Sequence, residues 1–344
     1  RILFLLQKNM TIFLATFFIT LLIFLKNLNN ITRKLNLYDI PKSSIKIHKK
    51  KVSLAGSLIF LNLIFLSIIF TDYVINYNLF KLTKNFYFFI VVASIVFFIG
   101  FYDDKNNIKP YTKFFLLTFA VSLLVFVDET IKINYLDFGF INYTVYMENF
   151  DFIFTVFCFL LFLNAINLFD GINMQCIAYA ISAIIFFIII QGIDIFLLIL
   201  ILYLIILLYL NFKNKIFLGD SGTLFLGFVI SYYAIMIYEK NNLFNVEDIF
   251  LMMMIPGIDM FRLFLFRIFK NKNPFIGDNL HLHHLILNKF DQKISFFSIF
   301  FFNTVIFYFS YFLGIVFYAI VFNFIIYVVA IIYLLKFKTS KRVK

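Results

Sequence analysis

Of 344 residues, 63% are hydrophobic and 14% charged, with 55 Phe, 20 Tyr and no Trp. Soluble domains hold roughly 45 to 50% apolar residues, so this composition excludes a water-soluble globular chain and requires one that crosses a membrane repeatedly. The formal charge of +12 would suit a nucleic-acid partner, but in membrane proteins basic residues report orientation, so their placement decides the matter.

Eleven apolar stretches are predicted to form helices, at about 10–25, 52–70, 86–101, 111–127, 152–169, 176–190, 194–211, 222–238, 249–266, 294–312 and 315–335. They lie near the ~20 residues that a helix needs to cross the hydrocarbon core. With the N-terminus outside, the loops after odd-numbered helices face the cytoplasm and hold most of the 30 Lys and Arg. The first such loop carries Lys26, Arg33, Lys34, Lys42, Lys46, Lys49, Lys50 and Lys51, and the C-terminal segment carries Lys336, Lys338, Lys341, Arg342 and Lys344. The opposite loops carry acids such as Asp128, Glu129, Glu148, Glu239, Glu247 and Asp248. This is the positive-inside pattern, and it accounts for the net charge without nucleic acid. Cys158 and Cys176 have no His or Cys beside them in sequence, so neither a disulfide framework nor a thiolate metal site is expected. The expected fold is an all-α, polytopic membrane helix bundle of about eleven helices, with the N-terminus outside and the C-terminus cytoplasmic.

The same-side loops also hold the chemistry-bearing residues. At the end of the third stretch, Gly100-Phe-Tyr-Asp103-Asp104 sets two adjacent carboxylates at the membrane surface. They repel unless a cation compensates them, and a hard ion such as Mg²⁺ is suited to oxygen ligands; a solvated turn is the plainer reading of the pair alone. The fifth stretch ends Asn164-Ala-Ile-Asn167-Leu-Phe-Asp170-Gly171-Ile-Asn173. Asn164 and Asn167, three apart, share a helix face leading to Asp170. Helix capping explains one such polar residue but not four. Gly219-Asp220-Ser-Gly222 follows, where a capping Asp is the competing account. The last inner loop contains Asp278-Asn-Leu-His281-Leu-His283-His284, preceded by Arg262, Arg267, Lys270 and Lys272. Imidazoles among bases suit an anionic substrate better than a structural zinc, which lacks thiolates here.

Together these motifs resemble the polyprenyl-phosphate N-acetylhexosamine-1-phosphate transferases, closer to the WecA-like branch than to the MraY-like one. Asp103-Asp104, Asn164-x-x-Asn167-x-x-Asp170-Gly171, Gly219-Asp220-x-Gly222 and His281-x-His283-His284 match the family pattern in order. Asp39, Pro41, Lys46, His48, Pro256 and Asp259 match more faintly. Two features depart from the pattern. Asn173 and Met174 stand where the family has Asp and Gly, and Ser53-Leu-Ala-Gly56-Ser57 replaces a Pro-x-x-Gly-Gly element. An Asn amide can hydrogen-bond a uracil edge but cannot act as a base.

The resemblance implies transfer of a sugar-1-phosphate from a UDP-N-acetylhexosamine to polyprenyl phosphate, such as undecaprenyl phosphate. The products are a polyprenyl-diphosphate sugar and UMP, which starts a cell-envelope glycan of the lipopolysaccharide or O-antigen kind. It implies one transmembrane domain over 1–344, with an active site built from loops 26–51, 102–113, 170–175, 212–221 and 267–293 at the cytoplasmic face of the plasma membrane. It further implies Mg²⁺ or Mn²⁺ on Asp220, Asp103 and Asp104, catalysis by these residues with Asp170, and substrate contacts from Lys46, His48, Asn164, Asn167, Asn173, His281, His283 and His284. A homodimer is compatible with it, and nucleic acid is not a partner.

Two other classes compete. A transporter or flippase of an anionic lipid-linked substrate would set ionisable groups near the midplane of both halves, often with an inverted repeat. Here they gather at one interface, and no repeat is visible. An inactive relative serving as a binding subunit fits Asn173, but not the retained Asp103, Asp104, Asp170 and Asp220.

Overall fold

The computed structural model describes residues 2–40, 51–69, 85–240, 244–274 and 279–336, excluding the side chains of 2–14 and 69. In chain order the helices are α1 (Ile2–Leu35), α2 (Ile59–Ile69), α3 (Phe86–Asn106), α4 (Pro110–Val127), α5 (Asp151–Phe169), α6 (Gln175–Gln191), α7 (Ile195–Phe212), α8 (Gly219–Lys240) and α9 (Val246–Phe269). The short α10 (Leu282–Leu287) follows, then α11 (Gln292–Phe300), which runs through a π turn into α12 (Ile306–Leu313), and α13 (Val316–Lys336). Among the described residues, nine helical stretches are long and apolar enough to cross a membrane, and Ala55–Ile68 and Gln175–Gln191 are shorter apolar helices. The chain is an all-α polytopic membrane protein.

The bundle is organised around α8, which is buried continuously from Ser221 to Tyr238. A helix apolar on every side belongs at the centre of a bundle, and α3 and α5 flank it. Close approach depends on small residues, as in membrane bundles generally. A Cβ on Gly100 of α3 would stand 2.5 Å from the Cα of Ser221, so the two backbones touch there. Farther along, Phe89 packs among Phe228, Tyr232 and Tyr233. In α9, Pro256 has no N–H to offer the carbonyl of Met252. The Tyr179 hydroxyl of α6 donates to that carbonyl instead, at 3.3 Å.

Helices extend past the apolar runs that mark them in the sequence. Asp103 and Asp104 lie in the last turn of α3 rather than in a loop, and Gly219 and Asp220 open α8. Hydropathy measures the lipid crossing, whereas backbone hydrogen bonding continues into the polar headgroup zone. Two short antiparallel strand pairs also lie outside the all-α expectation. β1 (Tyr38–Asp39) pairs with β2 (Val52–Ser53), and β3 (Tyr135–Phe138) pairs with β4 (Tyr143–Tyr146) with Tyr135 opposite Tyr146. The second hairpin is tied to the bundle: the Tyr238 hydroxyl accepts from the Asp137 N–H at 2.8 Å and donates to the Tyr135 carbonyl at 2.9 Å. Ser53 accepts from the Phe217 N–H at 2.8 Å, which draws the first pair to the approach of α8.

Candidate active site

The N-terminus of α8 lies against the C-terminal turn of α3, and there a cleft of about 680 Å³ opens. Its walls include Asp39, Asp103, Asp104, Asn167, Asp170, Asn173, Asp220, His281, His283 and His284, residues spread along most of the chain.

Asp104 anchors the helix start. Its carboxylate accepts from the Asp220 N–H at 2.7 Å, the Ser221 N–H at 3.0 Å and the Ser221 hydroxyl at 2.6 Å. An acid at the positive end of a helix satisfies otherwise unpaired amides. Here it is supplied by another helix. Gly219 is required twice over: its φ is +66°, and a Cβ would stand 2.7 Å from both Asp104 carboxylate oxygens.

Asp103 and Asp220 share a single ammonium. Lys113, in the first turn of α4, places Nζ 2.9 Å from Asp103 Oδ2 and 2.8 Å from Asp220 Oδ2. Asp103 also accepts from the Ile108 N–H at 2.8 Å. The Asn167 amide donates to Asp220 Oδ1 at 2.8 Å and to the Thr223 hydroxyl at 2.7 Å, which fixes the Asp220 rotamer.

Asp170 follows the end of α5 and faces the cleft. Desolvation by the surrounding protein, then Asp220, then Asp104 push its carboxyl up to about 7. Next to it, Gly171 admits the His283 ring: a Cβ there would stand 1.9 Å from His283 Nε2. Burial, reinforced by His284 and His281, holds the His283 imidazole well below its ordinary value, so it is neutral.

A buried network holds the histidine segment. Asp259 on α9 accepts from His281 Nδ1 at 2.9 Å, Arg262 Nη2 at 2.8 Å, the Tyr327 hydroxyl at 2.8 Å and the Leu282 N–H at 3.1 Å. Arg262 also donates to Tyr327 and to the Leu280 carbonyl. The rings of His281 and His283 lie 5.4 Å apart and nearly parallel. On the opposite wall, Asn173 donates to Asn214, and Asn211 accepts from the Met174 N–H at 2.6 Å. Met174 takes φ +72°, a conformation that favours the family's glycine.

The structure thus brings together Asp103, Asp104, Asp170, Asp220, Asn167, Asn173 and the three histidines. Asn164 does not join them, because its amide donates to the Leu160 carbonyl of its own helix at 2.7 Å and it does not line the cleft. Lys46, His48 and Pro41 lie outside the described residues. Lys113, Thr223, Asn211, Asn214 and Tyr327 were not singled out from sequence. A lysine three residues beyond Pro110, next to the Asp-Asp pair, is the one signal that marked any of them.

The donor set accommodates a hard divalent ion only in part. Among the described residues no three acids or imidazoles stand together as a metal cage. Asp103 and Asp220 converge on one cation position, now taken by the Lys113 ammonium. Asp104, the third residue of the expected metal set, turns its oxygens to the amides at the start of α8. Two carboxylates, completed by substrate phosphates and water, are the ligand set Mg²⁺ commonly takes.

Fold and cleft define a polytopic helical membrane protein with an acidic, histidine-flanked site at one end of the bundle. Residues 86–238, from the start of α3 to near the end of α8, match the family model described as Glycosyl transferase family 4. The undecaprenyl-phosphate alpha-N-acetylglucosaminyl 1-phosphate transferase of Escherichia coli (strain K12) is 24% identical over 286 residues, 80% of this chain and 75% of its own. The protein of that name from Yersinia pestis is 24% identical over 266 residues, 74% and 70% of the two chains. That from Haemophilus influenzae is 36% identical over 76 residues, 22% and 21% of the two. Over these spans the chain is similar in sequence to these 1-phosphate transferases.

Proposed function

We propose that this protein transfers a sugar-1-phosphate, an N-acetylhexosamine-1-phosphate, from a UDP-sugar to a membrane polyprenyl phosphate and releases UMP. The observation that carries the reading is electrostatic: Asp103, Asp104, Asp170 and Asp220 line one cleft, and Lys113 is the cation that bridges two of them. Such a cleft repels two phosphate substrates unless positive charge enters with them.

Asp103 and Asp220 would hold a divalent ion, Mg²⁺ or Mn²⁺. When bound, that ion supplies charge against the diphosphate. Lys113 offers its ammonium to a phosphate oxygen once it leaves the acids, and Asn167 keeps Asp220 oriented. His281, fixed by Asp259, and His283 and His284 face the sugar and phosphates, while Asn173 meets the nucleotide. Lys46 and His48 are assigned to the same phosphates. The lipid phosphate is largely ionised at neutral pH, so an oxygen of it attacks the sugar-bearing phosphorus directly. The new P–O bond forms as the bond to UMP breaks, with no proton to remove and no covalent enzyme intermediate.

The positive-inside pattern supports eleven crossings, an external N-terminus and a cytoplasmic cleft, within one domain at the plasma membrane. There the UDP-sugar arrives from water and the lipid phosphate lies at headgroup level. The test is incubation of purified protein with undecaprenyl phosphate and a panel of UDP-N-acetylhexosamines, with and without Mg²⁺. UMP release that needs both lipid and metal is expected; no UMP from any donor refutes the reading.

A further inference from the structure

Gln175 is the first residue of α6, five positions beyond Asp170, and its side chain is 3% exposed. Neither its Nε2 nor its Oε1 has a hydrogen-bond partner among the described residues. A buried amide left so costs free energy, and native proteins retain such groups where something else engages them. The amide lines a chamber of about 10 Å³ whose other polar walls are Asp259, His281 and His283. The chamber shares Leu168, His281 and His283 with the acidic cleft, so these imidazoles separate the two spaces.

Asp259 is already saturated in this chamber, since it accepts from His281, Arg262, Tyr327 and Leu282. His281 turns Nδ1 to that carboxylate, which keeps a proton on Nδ1 and leaves Nε2 as the ring's other polar edge. His283 is buried, with Gly171 against its Nε2. The chamber is therefore faced by one unpartnered amide, with both donors and an acceptor, and by the edges of two imidazoles. A volume of this size takes one water, and a buried water needs two to four polar partners.

We propose that Gln175 is a positioning residue: through one water in this chamber its amide fixes the His281 and His283 imidazoles at the wall of the cleft, where they meet the donor's phosphates. The inference rests on the transferase reading. It makes Gln175 act at one remove, with no contact to substrate.

The test is Gln175→Met, close in length and without the amide. It is purified beside wild type and measured for thermal unfolding and for UMP release from UDP-N-acetylglucosamine with undecaprenyl phosphate. A positioning role predicts that Tm stays close to wild type, because Met keeps the packing and only water-mediated hydrogen bonds are lost, while KM for the donor rises about tenfold, the scale of one hydrogen bond. The kcat value should stay within about twofold. A merely structural amide predicts the same Tm behaviour with unchanged KM, and that result overturns the inference. If Met lowers Tm, Gln175→Leu is judged on the same two readings, and an unchanged KM in the variant that keeps the wild-type Tm is decisive. A wild-type protein that releases no UMP overturns the transferase reading itself, and this inference with it.

Discussion

Replacing Asp259 with Asn tests how the histidine segment is held. The carboxylate is 6% exposed and accepts from Arg262, Tyr327, His281 and Leu282 within 2.8 to 3.1 Å. Asn keeps one acceptor oxygen and sets an NH₂ against a donor, and it strands the Arg262 charge. Removing one partner of a buried pair costs about 3–5 kcal/mol. Arg262 keeps Tyr327 and the Leu280 carbonyl as acceptors, so the lower end, about 3 kcal/mol, applies. Chains of 150–250 residues lose about 2–4 °C of Tm per kcal/mol, so a fall of at least about 5 °C is expected from thermal unfolding in detergent. Asp259→Asn combined with Arg262→Met removes the stranded charge and should recover part of the Tm, but not donor KM, because His281 still lacks its anchor. Asp259→Asn with wild-type Tm and wild-type KM would refute the clamp.

Gly171→Ala drives a methyl to within 1.9 Å of His283 Nε2 in a buried setting, so UMP release should fall more than about tenfold with a stability loss of about 1–3 kcal/mol. Both are read from kinetics and unfolding of the same preparation. Lys113→Met leaves Asp103 and Asp220 without their shared cation; the variant should be less stable in EDTA and show a larger Mg²⁺-induced rise in Tm than wild type, up to about 2.7 kcal/mol at a hundredfold excess over Kd. A Mg²⁺ response equal to that of wild type counts against the shared position. The Asp170 carboxyl is raised from 3.8 to about 7, so the folded protein binds the extra proton, and the stability present below pH 3.8 is lost as pH rises through about 7. Asp170→Asn should flatten the Tm-against-pH curve over that window, and identical curves would show that the group does not carry the slope.

The bundle was legible because lipid imposes a single rule: long apolar runs must become helices. The gathering of Asp103, Asp104, Asp170, Asp220 and the histidines was legible because charge orientation sorts loops to one side. Roles within the site were not. Asp104 and Asp103 are neighbours in sequence, yet one caps α8 and the other meets Lys113, a division set by the direction in which α3 arrives. Asn164 and Asn167 share a helix face by spacing, but Asn164 turns back to its own carbonyl. Arg262 has Asp259 within local reach, three positions earlier on the same helix. Its other side-chain partner, Tyr327, lies 65 positions away, beyond the reach of any local pattern.

Manganese binding followed by electron paramagnetic resonance tests the central claim most directly, using purified protein with Mn²⁺ and UMP. Wild type should bind one Mn²⁺ per chain with UMP present, and Asp220→Asn should lose that signal while keeping the wild-type Tm in EDTA. Equal Mn²⁺ binding by Asp220→Asn, or no binding by wild type, would contradict a divalent ion held between the ends of α3 and α8.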